Sequence, residues 1–204
     1  MAFTYFFRDM QTLELIRDLV LPTLRTRKYI DIWDAGCAMG PEPYSIAIIL
    51  RENMGQFLFR NVRIFASDIE EHGSFGDIIR EGIYEEEEVK RIPREIFNKY
   101  FEPSDQQGQF QISAEIRRSV RYQKHNLLSL KPIREGFGLI VCKNVLLHFS
   151  EPERVKVIKM YHQVLGDGGF LVTEQTQKMP SKAAHLFEPV VSNASLFRKV
   201  KIAT

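Results

Sequence analysis

The sequence has few cysteines, no long apolar run and almost no net charge. Its two cysteines, Cys37 and Cys142, are too far apart for a zinc-knuckle spacing and too few for a secreted disulfide framework. No apolar stretch approaches membrane-spanning length, and the N-terminus does not resemble a secretory signal. A net charge of +2 creates no field that would attract nucleic acid. We therefore expect a cytoplasmic protein with no metal site, no nucleic-acid partner and no membrane insertion.

The length and the order of the predicted elements favour one α/β domain over residues 1–204. Asp9 is a candidate N-cap for a helix from Met10 to Leu24. Strands then alternate with helices, which is typical of a mostly parallel, doubly wound sheet. The predicted strands are Tyr29 to Trp33, Val62 to Ala66, Gly138 to Cys142, Phe170 to Thr173 and a final edge strand from Leu196 to Ile202. The predicted helices that follow strands include one after Gly40, one near the acidic run Glu85 to Glu88, and one from Glu151 to Leu165.

The middle of the chain interrupts this alternation. Phe110 to Ile112 and Ser119 to Lys124 have the composition of short strands and follow a Gln-Gln-Gly turn. We interpret residues 105–123, approximately, as a small β insertion.

A glycine loop and an acid point to a nucleoside cofactor. Gly36 and Gly40 lie between a predicted strand and a helix, where they permit a tight turn and a close approach of the backbone to a ligand. By themselves they are equally consistent with an ordinary strand-to-helix turn. Asp68 ends the next strand, where a carboxylate can accept hydrogen bonds from both ribose hydroxyls. Because the loop lacks the dinucleotide spacing GxGxxG, S-adenosylmethionine fits better than NAD.

Five strings, in this order, resemble the successive motifs of the chemotaxis receptor glutamate methyltransferases, the CheR family. They are FTYFFRD (3–9), AGCAMGPEPYS (35–45), ASDI (66–69), NLL (126–128) and CKNVLLHF (142–149). The resemblance implies a Rossmann-like class I methyltransferase fold, S-adenosylmethionine as cofactor and S-adenosylhomocysteine as product. It also implies a chemoreceptor cytoplasmic domain, or another protein, as substrate. The β insertion resembles the subdomain with which some members bind a receptor tail.

The resemblance also assigns roles to individual residues. It places Thr4 and Arg8 near the methionine end of the cofactor, and Gly36, Gly40 and Glu42 around its amino-acid and sulfonium region. Asp68 would bind the ribose. The remaining cofactor positions are Asn126 and Leu127 around the adenine, and Asn144 after the fourth main strand. The candidates for catalysis are Arg8, Lys143 and His148.

Several acceptor-side positions depart from the family pattern. Lys143 and His148 replace the usual arginine and tyrosine, and Glu174 to Gln177 replace a Gly-His-Ser-Glu string. The family's N-terminal helical domain has no counterpart in these 204 residues. Two alternatives therefore stay open, a methyltransferase for a different acceptor and a non-catalytic module that binds the cofactor or its product. The sequence predicts no oligomeric state.

Overall fold

The computed structural model describes residues 4–70, 73–176 and 178–201. The strands, in chain order, are β1 (Ile30–Ala35), β2 (Val62–Asp68), β3 (Ile83–Glu85), β4 (Phe101–Pro103), β5 (Gln109–Ile112), β6 (Val120–Lys124), β7 (Phe137–Cys142), β8 (Leu165–Thr173), β9 (Phe187–Pro189) and β10 (Leu196–Lys199). The α-helices are α1 (Met10–Leu15), α2 (Leu21–Leu24), α3 (Pro41–Phe59), α4 (Phe75–Glu81), α5 (Glu86–Val89), α6 (Arg94–Tyr100), α7 (Ala114–Ser119), α8 (Glu151–Val164) and α9 (Ser181–Ala184).

The main sheet has seven strands in the order β6-β2-β1-β7-β8-β10-β9. The pairs from β6 to β8 are parallel, whereas β10 runs antiparallel to both β8 and β9. The order reverses at β1, which has β2 on one side and β7 on the other. In open α/β sheets, ligands bind beyond the carboxyl ends of the strands at such a switch point. The predicted doubly wound α/β fold is confirmed.

Side chains of the central strands alternate between two cores, one on each face of the sheet. In β1, Ile30 and Ile32 belong to one apolar cluster, and Trp33 and Ala35 belong to the other. All six residues of β1 are buried, as are all six of β7. β7 is a continuous apolar run, as is typical of strands covered on both faces, whereas β1 also contains Asp31 and Asp34.

Two predicted strands form, but the places predicted for them in the fold are wrong. The sequence predicts Ser119 to Lys124 as part of the insertion, but β6 pairs in parallel with β2 in the main sheet, so that Asp68 lies opposite Lys124. Its mostly polar composition suits the edge of a large sheet as well as a hairpin. The insertion is instead a three-stranded antiparallel sheet, β3-β5-β4, within residues 83–112. The final strand, β10, is also not at the edge of the main sheet, because β9 lies outside it. Ile202, the last residue of the predicted strand, is outside the described residues.

The first helical region begins as predicted and then changes its hydrogen bonding. Asp9 caps α1, accepting a hydrogen bond from the Thr12 amide at 3.1 Å. A π-helical turn over Ile16–Val20 separates α1 from α2, because Pro22 has no N–H to continue the α-helical ladder. No helix in the described ranges is long and apolar enough to cross a membrane.

Candidate functional site

A cavity of about 700 Å³ opens beyond the carboxyl ends of β1, β2 and β7. Ten of the eleven residues proposed for the site from sequence line it, although they come from distant parts of the chain. They are Thr4, Arg8, Gly36, Glu42, Asp68, Asn126, Leu127, Lys143, Asn144 and His148. The eleventh, Gly40, lies behind this wall and packs against α4 and β3.

The N-terminal segment reaches the cavity because two aromatic side chains anchor it. Phe6 is buried between Tyr84 and Phe101, with ring centroids 4.9 and 5.3 Å away. The amide of Phe7 donates to Ser45 Oγ at 2.9 Å, which ties the segment to the first turns of α3. This docking leaves the flanking residues Thr4 and Arg8 on the cavity wall.

Both glycines of the loop have positive φ, +107° at Gly36 and +101° at Gly40. A Cβ at Gly36 would clash with Val145 Cγ2, and one at Gly40 would lie 2.9 Å from the hydroxyl of Tyr84. That hydroxyl donates to the Met39 carbonyl at 2.9 Å and so supports the loop from behind. The glycines therefore serve the turn and its packing, and only Gly36 also lies on the cavity wall.

Asp68 ends β2 and joins the two loops that border the cavity. Its Oδ2 accepts a hydrogen bond from the Ala38 amide at 2.9 Å, and its Oδ1 accepts a longer one from the Glu70 amide at 3.4 Å. Each carboxylate oxygen can accept more than one hydrogen bond, so the group keeps capacity for a ligand. A ribose diol at this position would find a carboxylate that the backbone already orients.

The wall beyond Asp68 is mostly apolar. Asn126 caps a short 3₁₀ turn, Leu127–Ser129, by accepting a hydrogen bond from the Leu128 amide at 2.9 Å. This turn carries Leu127 and Leu128 to the cavity. His125, which sequence reasoning missed, also lines the cavity and makes an edge contact with Trp33, with 5.6 Å between ring centroids. The wall provides an apolar surface with polar groups at its rim, which suits a heterocyclic base.

Lys143 follows β7 and is buried, with 9% of its surface exposed. Its ammonium forms an ion pair with Asp9, the residue that caps α1. Burial acts to raise the pKa of Asp9, but the hydrogen bonds from Lys143 and Thr12 outweigh it and the pKa is lowered. Lys143 therefore connects the carboxyl edge of the sheet to the N-terminal segment. The next residue, Asn144, has a φ of +58°, a conformation that asparagine tolerates better than most residues.

A pair of carboxyl groups lies beside Lys143. Glu42, in the first turn of α3, lines the cavity, and Asp34, at the carboxyl side of β1, is completely buried behind it. Burial raises the pKa of Glu42 to about 7, although the charge of Lys143 acts in the opposite direction. Burial and the neighbouring Glu42 hold the pKa of Asp34 well above its usual range. Sequence reasoning missed Asp34. The sequence does show that this acidic residue lies between a buried strand and the glycine loop, and that position could have indicated a role in the site.

Arg8 and His148 are exposed at the cavity, where an incoming acceptor could reach them. His148 ends a 3₁₀ turn, Leu146–His148, just before α8. Glu174, which follows β8, is only 3% exposed, and burial raises its pKa. Gln175 donates a hydrogen bond to Gln11 at 3.2 Å, and Gln177 lies outside the described residues. Arg8 and His148 are thus both accessible to an acceptor from the cavity.

The cavity matches the chemistry of S-adenosylmethionine. It offers a backbone-oriented carboxylate for a ribose, an apolar wall for a base and a second carboxyl region for an ammonium. Within residues 4–70, 73–176 and 178–201, no group of three or more His, Cys, Asp or Glu side chains is arranged to hold a metal ion.

Comparison with known proteins gives the family. The model of the family described as "CheR methyltransferase, SAM binding domain" matches residues 2–195. A "Probable chemotaxis protein methyltransferase" of Rhizobium etli is 30% identical over 92% of this chain and 72% of its own length. A "Chemotaxis protein methyltransferase" of Borreliella burgdorferi is 33% identical, covering 83% of this chain and 62% of its own. A "Chemotaxis protein methyltransferase 2" of Vibrio cholerae is 31% identical, covering 90% and 64%.

Solved structures agree with the fold. The N-methyltransferase NodS of Bradyrhizobium japonicum, solved with S-adenosylhomocysteine, has a TM-score of 0.53 at 13% identity and covers 94% of this chain and 87% of its own. A methyltransferase of Geobacter sulfurreducens has a TM-score of 0.54 at 10% identity and covers 95% and 80%. The family match confirms the predicted cofactor, S-adenosylmethionine. The chain belongs to the CheR methyltransferase family and contains its S-adenosylmethionine-binding domain.

Proposed function

We propose that this chain transfers the methyl group of S-adenosylmethionine to carboxylate side chains of a protein, forming glutamate methyl esters on a chemoreceptor cytoplasmic domain. The observation that carries the proposal is the cavity itself. It brings together residues that we expect to bind the cofactor and two exposed side chains, Arg8 and His148, in a chain of a methyltransferase family.

The cofactor half of the site uses residues already held by the fold. Asp68 accepts hydrogen bonds from the ribose hydroxyls, and Leu127 contacts the adenine. Asn126 supports that contact by fixing its own 3₁₀ turn. Glu42 faces the methionine ammonium, which an ionised carboxylate binds by a charge-assisted hydrogen bond. Thr4, Gly36 and Asn144 complete the walls around the methionine end.

The acceptor half needs no general base. A glutamate side chain has an ordinary pKa near ~4.3, so it is already an anion at neutral pH. The bound cofactor supplies an electrophilic methyl group on a sulfonium. The protein's contribution is to align the acceptor oxygen with that group and to exclude water, because well-oriented reactants need little further ordering. Arg8 offers a planar, two-pronged donor for the acceptor carboxylate.

Lys143 and His148 have different roles in this proposal. The ammonium of Lys143 is paired with Asp9, so it holds the N-terminal segment that carries Arg8 and acts on the acceptor indirectly. His148 is exposed at the cavity and contacts the acceptor directly. The second candidate is a methyltransferase for a different acceptor. Histidine at position 148 lacks the phenolic hydroxyl of the tyrosine that the family pattern has there, and the acceptor contact would change with it.

The test is a transfer assay with labelled S-adenosylmethionine and a chemoreceptor cytoplasmic fragment. We expect label in the fragment that base releases as methanol, since methyl esters hydrolyse readily and methylamines do not. A fragment whose acceptor glutamates are changed to glutamine should remain unlabelled. Arg8→Ala should reduce transfer by about a hundredfold, the cost of small misplacements in such a site.

The remaining outcomes distinguish the alternatives. Label in other proteins of a cell extract, with none in the receptor fragment, would identify a different acceptor. Binding of cofactor with no transfer to any protein would identify a non-catalytic module.

A further inference from the structure

Asp34 is a buried acid that the proposed reaction does not use. Its side chain is 0% exposed at the carboxyl side of β1. Within the part of the chain that the structure describes, no N–H or O–H donates a hydrogen bond to either of its carboxyl oxygens. A carboxylate buried without donors is costly, so such a group either finds a partner or keeps its proton.

The group that does approach Asp34 is the carboxyl of Glu42. Two carboxylates repel each other, whereas a carboxylic acid and a carboxylate form a hydrogen bond in which the acid donates. The contact therefore requires one proton shared between the two residues. Without it, both would lose the hydrogen bond that compensates their burial.

The surrounding charges decide which residue keeps the proton. Glu42 faces the cations Lys143 and Arg8, and lies in the first turn of a 19-residue helix, where negative charge is favoured. Asp9 also faces it and acts the other way. Apart from Glu42, the groups that interact with Asp34 are the acid Asp68, the cation Lys143 and three groups that are uncharged near neutral pH. The uncharged groups are Cys37, Cys142 and Tyr161. The proton therefore resides on Asp34, and Glu42 is the member that ionises near neutral pH.

We propose that Asp34 is a positioning residue of the cofactor site, whose carboxylic O–H holds Glu42 toward the methionine ammonium, and that binding at that ammonium releases a proton from the pair. The inference rests on the proposed role of Glu42. In the free protein below neutral pH, both carboxyl groups are protonated. A cationic ammonium binds the ionised form of Glu42, so one proton leaves to solvent while Asp34 keeps its own.

This linkage predicts how affinity depends on pH. Affinity for a ligand with the methionine ammonium should be nearly constant above about pH 7.5 and should fall toward tenfold per pH unit well below the pKa of Glu42. S-adenosylhomocysteine is the probe, because it carries the same amino-acid group as the cofactor.

The experiment is a calorimetric titration with S-adenosylhomocysteine between pH 5.5 and 8.5, using wild type and three variants. Asp34→Asn retains a neutral donor, so we expect the same pH midpoint. Asp34→Val removes the donor, so we expect its affinity at pH 8 to be about tenfold weaker than that of Asp34→Asn. We also expect the midpoint of its pH profile to move to higher pH, because Glu42 loses a hydrogen bond that lowers its pKa. Glu42→Gln should remove the pH dependence. Asp77→Asn, which changes an exposed carboxylate on α4, is the control.

Three results would overturn the inference. They are a loss of pH dependence in Asp34→Asn, an equal midpoint in wild type and Asp34→Val, and an unaltered pH profile in Glu42→Gln. If Asp34→Val does not fold, as judged by circular dichroism, Asp34→Asn and Glu42→Gln still decide. Wild type that binds no S-adenosylhomocysteine at any pH would refute the cofactor site itself, whereas binding without a proton linkage refutes only the role of Asp34.

Discussion

Removing the ammonium of Lys143 should destabilise the fold more than neutralising its partner Asp9. The lysine side chain is 8% exposed and that of Asp9 is 29% exposed. The charge of Lys143 also acts on the carboxyl groups of Glu42, Asp34 and Glu174, where it opposes the effect of burial and lowers the pKa of each. In Lys143→Met these acids lose a buried cation, and Asp9 loses its ion pair.

The magnitude follows from burial. Breaking a buried ion pair by removing one partner costs about 3 to 5 kcal/mol, and we expect Lys143→Met to fall in this range. Asp9→Asn isolates the ion pair from the helix cap, because asparagine caps a helix about as well as aspartate. We expect Asp9→Asn to lower the free energy of unfolding by about 1 to 2 kcal/mol, since Asp9 is partly hydrated and Lys143 still interacts with the carboxyl group of Glu42. The double variant should show a coupling of about 1 kcal/mol or more.

Urea unfolding of wild type, both single variants and the double variant measures these free energies. The exposed pair of Arg80 and Asp77, with side chains 76% and 67% exposed, supplies the control. Asp77→Asn should cost no more than about 0.5 kcal/mol. If Lys143→Met costs no more than that control, or if the effects of Asp9→Asn and Lys143→Met simply add, the N-terminal segment is not held by this pair.

Two further predictions concern pH and the acceptor. Because the pKa of Glu42 is about 7 in the folded protein and near 4.5 ordinarily, the folded state binds the proton more tightly. The free energy of unfolding of the ligand-free protein should therefore fall by about 3 kcal/mol from this group as pH rises from about 4.5 to 7. Urea unfolding of wild type and Glu42→Gln at several pH values tests this, because only wild type should lose this contribution. If the two free energies change in parallel with pH, the prediction is wrong. His148→Tyr introduces a phenolic hydroxyl at an exposed position, so the rate of transfer to receptor glutamates should rise by about tenfold or more. The dissociation constant for S-adenosylhomocysteine should change less than about twofold. A lower rate in the transfer assay would mean that His148 suits a different acceptor.

Local sequence patterns were sufficient to predict that Asp68 and the glycine loop lie at the same edge of the sheet. Asp68 and the glycine loop each follow a buried strand, and parallel strands bring their carboxyl ends to the same edge. The family motifs then added Thr4 and Arg8, which no local pattern would have placed at the cavity. Gly40 was predicted at the cofactor but does not line the cavity. It lies behind the wall, where it packs against Tyr84.

The contacts missed by sequence reasoning depend on the tertiary structure. Asp9 and Lys143 are 134 residues apart, and nothing near either residue indicates the other. The burial of Asp34 became evident only when β1 was covered on both faces. The assignment of β6 to the insertion was wrong for a similar reason: a polar edge strand and a hairpin strand have the same local composition, and only the pairing with β2 distinguishes them.

The central claim is that the cavity beyond β1, β2 and β7 binds S-adenosylmethionine with Asp68 on the ribose. Calorimetric titration of wild type and Asp68→Ala with S-adenosylhomocysteine tests it most directly, with thermal unfolding to verify that the variant is folded. Loss of a charge-assisted hydrogen bond of about 1.5 to 3 kcal/mol predicts a dissociation constant about 10 to 150 times larger in the variant, and NAD should not compete in wild type. Equal dissociation constants for the two proteins, or displacement of S-adenosylhomocysteine by NAD, would contradict the claim.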